Sequence, residues 1–421
     1  MGLGSIIGTG IFVSIALAVE VAGPAVVLSI PLAALVAICN GLCSAELAAN
    51  HPVSGGTYEY GYRWLRPGLG FLAGWLFLCA KSASAATAAL GFAGYATAML
   101  NLSPSLTLPV ALAAVLVVTR ISVRGIHGSN WANVLIVAFT VLSLIVFIAA
   151  GIPSAIKRGN SHLTPFFSAT SHQSWQGMLE AAALMFVAFT GYGRIATLGE
   201  EVRDPARTIP RAIVLTLGLA MVLYLGVALV GLAAVGQSGF QLSRDSRVAP
   251  LELTARQFLI PHVDQLVALG ALAAMLGVLL NLILGLSRVL FAMGRRGDMP
   301  TILSHVHTDR RVPDAATIVV GILVGGLALV GNVKTTWSFS AFTVLLYYSL
   351  TCLAAMQLTV EERRFPRFVP WIGLLANLSL VFWIEGSIWI AGGVLVAVGF
   401  IWWMGINRAR STAPPIPTQM S

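Results

Sequence analysis

Short polar segments divide this chain into apolar runs of the length a bilayer demands, about 20 mostly apolar residues per crossing. On that rule twelve helices are predicted, at 1–22, 25–48, 68–100, 105–119, 130–151, 176–199, 209–235, 264–294, 314–331, 336–360, 368–384 and 386–406. Gly23-Pro24 closes the first of them. Two polar segments, 152–175 and 236–263, are longer than plain hairpins. Each has room for a short surface helix and suits a lid. The stretch after Arg410, Ser-Thr-Ala-Pro-Pro-Ile-Pro, reads as a disordered tail.

Composition makes the same point from another side. Of 421 residues 57% are hydrophobic and only 10% charged, with a mean hydropathy of +0.86, whereas soluble domains carry about 25% charged residues. The expected class is an all-α membrane protein folded as one helical bundle. The net charge of +9 would suggest nucleic acid in a soluble protein. Here it is counted segment by segment instead. Seventeen of the 25 Lys and Arg residues lie on one side, after helices 2, 4, 6, 8, 10 and 12, from Arg63 and Arg66 to Arg408 and Arg410. The opposite segments hold Lys157, Arg158, Arg244, Arg247, Arg256 and Lys334. Positive-inside bias then places both termini in the cytoplasm. Cys39, Cys43, Cys79 and Cys352 lie in apolar spans without zinc or disulfide spacing and read as inert thiols. Met1 runs straight into apolar sequence, so no cleavable signal peptide is expected. The first half-helix, Met1 to Ile7, is short enough to suggest a truncated start.

Two of the apolar runs contain residues that resist helix. In the first, Gly8-Thr9-Gly10 weakens the helix by roughly 1 kcal/mol per glycine relative to alanine. Interrupted backbone at membrane depth is tolerated where it lines a cavity, and the freed amides ahead of the second half-helix form an anion site. The plainer reading is close helix packing, since Gly4 and Gly8 form a Gly-xxx-Gly pair. In the sixth, Thr190-Gly191-Tyr192-Gly193 repeats that character. Matching interruptions in a first and a sixth helix are what two five-helix repeats of opposite topology give. One transporter domain, 1–421, is then expected, with repeat one over about 1–151, repeat two over about 176–360 and extra helices over about 368–406.

The residues that carry this pattern resemble the amino acid–polyamine–organocation (APC) superfamily, nearest its cationic-amino-acid-transporter-like permeases. Four stretches bear the likeness: Ile6-Ile7-Gly8-Thr9-Gly10-Ile11-Phe12; Ala45-Glu46-Leu47 with Pro52-Val53-Ser54-Gly55-Gly56-Thr57-Tyr58-Glu59-Tyr60; Phe189-Thr190-Gly191-Tyr192 through Glu200-Glu201-Val202-Arg203-Asp204-Pro205 to Ile209-Pro210; and Ser287-Arg288-Val289-Leu290-Phe291-Ala292-Met293. The resemblance implies a five-plus-five inverted repeat, the leucine-transporter-like fold, and amino acid transport. It also implies that Thr9, Gly10 and Ile11 donate to a substrate carboxylate, and that the carbonyls of Ile6, Val187 and Thr190 accept from its ammonium group. Gly191 belongs to the same break, and Phe189 would wall or gate the side chain. Glu200 and Glu201 suit helix-end hydrogen bonding.

Lys81, about a third of the way along the third run, is an expensive residue there, costing about 2.5–3.5 kcal/mol, and should face the cavity. Ser84 and Ala85 share its face. Its charge would repel cationic substrates and favour neutral or acidic ones, or would titrate in proton coupling; a snorkelling lysine is the structural alternative. Some proton-coupled relatives carry a lysine on helix 5 where this chain has Phe139. Arg194 is either an inner gate or a partner of Glu200 or Glu201, and Asn281 either lines the pocket or bonds between helices. No strand precedes the glycines and no Gly-Lys-Ser/Thr follows, which excludes a phosphate loop. His305 and His307 lack partner ligands for a metal, and no nucleophile–base pair marks an enzyme. The expectation is a secondary permease for small neutral amino acids in the lipid bilayer, open to proton coupling and needing no cofactor or metal. A cationic amino acid or polyamine carrier and a non-transporting sensor are the alternatives.

Overall fold

The computed structural model describes residues 2–53, 55–125, 130–164, 166–167, 175–196, 204–240, 249–307 and 312–412. Among these the regular structure is entirely helical. The first apolar run is divided into α1 (Gly2–Ile6), α2 (Thr9–Phe12) and α3 (Ser14–Ala22), and a 3-10 turn at Gly23–Ala25 leads into α4 (Val26–Asn50). Then come α5 (Thr57–Trp64), α6 (Pro67–Met99), α7 (Thr107–Val123) and α8 (Asn130–His162). The sixth run gives α9 (Trp175–Phe189), a 3-10 turn at Thr190–Tyr192, and α10 (Gly193–Ala196). The remainder is α11 (Pro205–Phe240), α12 (Pro250–Ala255), α13 (Val263–Arg296), α14 (Asp314–Val330), α15 (Val333–Met356), α16 (Phe368–Phe382) and α17 (Gly386–Thr412).

Nine stretches among the described residues are long and apolar enough to cross a membrane. The first, Thr9–Asn50, takes in α2, α3 and α4 together, and α14 and α16 are shorter apolar helices. Large apolar side chains also lie on the outside of the bundle: Ile156, Leu215 and Ile390 are each more than 70% exposed. Such a surface is stable only against lipid. The long polar segments shrink on folding. α8 runs on to His162, and α12 occupies part of 236–263, the short helix that segment had room for. Glu200, Glu201, Arg203 and the tail beyond Thr412 lie outside the described residues.

α5 is a helix that run length could not signal, being only eight residues long. It forms because Gly55 and Gly56, at φ 136 and 57, turn the chain where a side chain would be strained. Its residues then clamp the far end of α13. The hydroxyls of Tyr58 and Tyr62 donate to the same Asp298 oxygen at 2.8 and 2.6 Å, and Asp298 is buried. Burial, with the Asp298 carboxylate beside it, pushes the Tyr58 hydroxyl well above its ordinary range, so it stays a donor. Arg296 pairs with Glu59 and lies over the Tyr62 ring at 4.1 Å. Trp402 of α17 donates to the Asp298 carbonyl at 3.0 Å. Two of the stretches that carry the family likeness thus meet: Tyr58 and Met293 both press on Gly74 of α6.

A second polar node joins α4, α15 and α16. Asn40 and Asn377 bond each other reciprocally at 2.8 and 3.0 Å, and the Cys352 thiol lies 3.0 Å from Asn40 Oδ1. Glu46 is likewise buried and accepts from the amides of Arg364 and Phe365. Hydrogen bonds to a buried charged group contribute about 1.5–3 kcal/mol. Asp298→Ala strands two tyrosine hydroxyls. It is expected to destabilise the bundle by about 2–3 kcal/mol, read as an earlier loss of monodisperse protein on heating in detergent.

Candidate functional site

The first interruption is centred on Gly8, within the Gly8-Thr9-Gly10 stretch expected to resist helix. Gly8 takes φ −176 and ψ −125, ending α1, and a second irregularity falls at Val13, with φ −125 and ψ −50. Between them α2 is a single turn. The amide of Ile11 bonds the Gly8 carbonyl at 3.1 Å, so that donor is engaged. The amides of Gly8, Thr9 and Gly10 open the turn and have no acceptor within it, and no side chain caps it. Thr9 is 3% exposed, and its hydroxyl has no hydrogen-bond partner among the described residues. A buried hydroxyl without a partner is costly and points to a ligand or ordered water.

The second interruption is milder than a full break. α9 tightens into the 3-10 turn at Thr190–Tyr192 and resumes as α10. The cause is local: Thr190 Oγ1 donates at 2.7 Å to the carbonyl of Val187, competing with the backbone ladder. The two interruptions touch. A β-carbon at Gly191 would collide with the carbonyl of Ser5, and one at Gly10 would lie 2.6 Å from the Ala188 β-carbon. Glycine is required at both crossings because backbone meets backbone there. The packing role and the break role of these glycines are therefore both realised, at different positions.

Hydroxyl and amine donors converge on this crossing. Tyr224 of α11 reaches the carbonyl of Ile6 at 2.8 Å and that of Ala188 at 3.2 Å, spanning both interruptions. Tyr348 of α15 donates to the carbonyl of Thr190 at 3.3 Å. Lys81 Nζ of α6 donates to Thr190 Oγ1 at 2.8 Å, and Lys81 is 8% exposed. Ile6, Val187 and Thr190, the three carbonyls expected to accept an ammonium, thus each carry one hydroxyl donor. A carbonyl has two lone pairs, which leaves those of Ile6 and Val187 a second site, whereas the Thr190 carbonyl also accepts from the amide of Gly193.

Phe189 is fully buried with its ring 5.0 Å from that of Tyr224. Arg194 donates to the carbonyl of Asn281 at 3.2 Å, tying α10 to α13; its expected partners Glu200 and Glu201 lie outside the described residues. Ser84, on the face of Lys81, is bonded to Ser340 at 2.7 Å. Ile6, Thr9, Gly10, Val187, Thr190, Gly191 and Lys81 are thus brought to one crossing. Tyr224 and Tyr348 are the participants that sequence reasoning missed, since a tyrosine inside an apolar run looks like core.

Comparison with known proteins fits this geometry. A family model described as amino acid permease matches residues 1–418. An uncharacterized transporter of Mycobacterium tuberculosis is 41% identical over 399 residues, covering 95% of this chain and 87% of that protein. The branched-chain amino acid permease BcaP of Bacillus subtilis is 28% identical over 97% of this chain and 89% of its own length. Cationic amino acid transporter 4 of Homo sapiens is 28% identical over 86% of this chain and 59% of its own.

Gly191→Ala is expected to force the two backbones apart at a cost of about 3 kcal/mol. Expression and thermal stability in detergent should both fall, whereas Gly218→Ala, which meets open space, should leave them in place.

Proposed function

Because the chain belongs to the amino acid permease family, and is accordingly an integral membrane transporter and not an enzyme, we propose that it carries an amino acid by alternating access, with small neutral amino acids as its substrates. The reading rests on one observation: the backbones of two helix interruptions cross at Gly191 and Ser5, with the unpartnered Thr9 hydroxyl in the facing turn. The amides of Gly8, Thr9 and Gly10 would receive the carboxylate, as donors left without an acceptor in the single turn they open. Gly8 here takes the place first given to Ile11, whose amide is engaged. The second lone pairs of the Ile6 and Val187 carbonyls would receive the ammonium group, the Thr190 carbonyl being engaged by Tyr348 and the Gly193 amide, and Phe189 with Tyr224 would wall the side chain.

The proposed architecture has twelve crossings. The stretch Thr9–Asn50 is read as two crossings divided at Gly23, and α14 and α16 as crossings completed by flanking residues. α1–α8 form one repeat, α9–α15 its inverted partner, and α16–α17 the additional pair. Both termini are read as cytoplasmic from the basic residues clustered on that side.

Lys81 supports a neutral side chain. An amine beside Thr190, charged or neutral, offers a cationic side chain no counter-charge, and the branched-chain permease among the relatives has a neutral substrate in its name. The second reading, a cationic amino acid carrier, is favoured by the human relative's name. Proteoliposomes separate these. Labelled alanine should accumulate, with unlabelled neutral amino acids competing and lysine or arginine failing at the same concentration. Efficient competition by lysine would favour the second reading. Binding without any accumulation would favour a sensor.

A further inference from the structure

Lys81 stands where a substrate's ammonium group has to arrive. Its Nζ is 2.8 Å from Thr190 Oγ1, and that hydroxyl donates at 2.7 Å to the carbonyl of Val187. No carboxylate among the described residues lies within ion-pair distance of Nζ. The elements packed against α6 offer none to spare. Glu59 of α5 is paired with Arg296, Asp264 of α13 with Arg256, and Asp314 of α14 with His305. The other charges of those elements, Arg63, Arg120, Arg288, Arg295, Lys334, Arg408 and Arg410, are cations. The titratable groups that α15 adds are Tyr347, Tyr348 and Cys352, of which Tyr348 already donates to the Thr190 carbonyl. α5 adds Tyr58, Tyr60 and Tyr62, with Tyr58 and Tyr62 bonded to Asp298.

Resting on the site assigned above, we propose that Lys81 is the coupling group and that its coupling has the sign of exclusion. The protonated amine and the substrate ammonium compete for the Val187–Thr190 corner, so an amino acid binds as Lys81 gives up a proton. In that step one N–H bond of the lysine ammonium breaks, its electron pair stays on Nζ, and the proton passes to water. The substrate remains zwitterionic. Neutral Lys81 can still donate to Thr190 Oγ1, so the helix turn keeps its support while the repulsion disappears. Two unit charges about 7 Å apart in a medium of effective dielectric about 20 weaken binding on the order of 50-fold. Linkage makes the effect reciprocal: protonation weakens amino acid binding by the same factor by which the amino acid favours deprotonation. The sign follows. Binding strengthens as pH rises through the titration of Lys81 and weakens as pH falls.

The test uses the full-length protein in nanodiscs with alanine as the probe, from neutral to alkaline pH. Adding alanine already adjusted to the solution's pH, and below the ionisation of its own ammonium group, should acidify a weakly buffered solution beyond a protein-free control by up to one proton per site, and the apparent Kd should fall by up to tenfold per pH unit. Lys81→Met and Lys81→Gln should bind alanine without proton release and with a flat pH profile. Proton uptake, absence of any proton exchange in the wild type, or unchanged release in both variants would each overturn the proposal while leaving the permease reading intact. The wild-type measurement needs no variant to fold. Failure of every neutral amino acid to bind would instead sink the assignment of the site, and this inference with it.

Discussion

Away from water a peptide group must have a partner, and that constraint organises this molecule. Regular helix meets it without help, so most of the chain needs only apolar length. The interruptions cannot meet it, and the structure supplies donors there one by one. Tyr224 serves Ile6 and Ala188, Thr190 serves Val187, Tyr348 serves Thr190, and Tyr95 donates to the carbonyl of Phe12 at 2.9 Å, beside the second irregularity. Each donor stands on a different helix from the carbonyl it serves, except Thr190. Neighbouring helices are thereby pinned to the irregular backbone, and the breaks become the place where the bundle is tied together.

The same constraint explains where side chains are missing. Two irregular segments can share donors only if their backbones nearly touch, and Gly191 against Ser5 achieves that. Gly10 against Ala188 repeats it one turn away. Small residues at helix crossings in lipid gain dispersion and hydrogen-bond contacts that bulk would prevent. The polar nodes outside the site, Asp298 with Tyr58 and Tyr62 and the Asn40–Asn377 pair, are satisfied in full. Thr9 differs: its hydroxyl is buried, at the crossing, and without a partner among the described residues.

Much of this was legible in the chain because lipid imposes a length rule. Apolar runs of the required length, and the glycine-rich exceptions to them, can be read directly. The boundaries drifted where tertiary contact overrides composition: α8 continues past residue 151 to His162. The break falls at the first residue of Gly8-Thr9-Gly10, because backbone angles, not glycine count, decide where within such a stretch a helix ends. α5 was invisible because a short amphipathic helix leaves no run. Lys81 stood out as a charge in an apolar span, yet its partner lies 109 residues away and no local pattern could name it. Tyr224 and Tyr348 were hidden for the converse reason: one hydroxyl in an apolar helix carries no sequence signal of what it bonds.

Lys81 shows how far one polar contact can carry a functional argument. Burying a cation with only a hydroxyl for company is unfavourable by a few kcal/mol, and a methionine of similar reach would fill the same space. A purely structural role would be better served by a neutral donor, as Ser84 with Ser340 serves one turn along the same face. The charge itself is therefore what the position supplies. On the proposal above, it would set a condition on the ammonium group that all amino acids share, while offering a cationic side chain no counter-charge. Selectivity by side chain and sensitivity to protons would, on that proposal, arise from one amine, because both are consequences of where a positive charge can and cannot be placed beside Thr190.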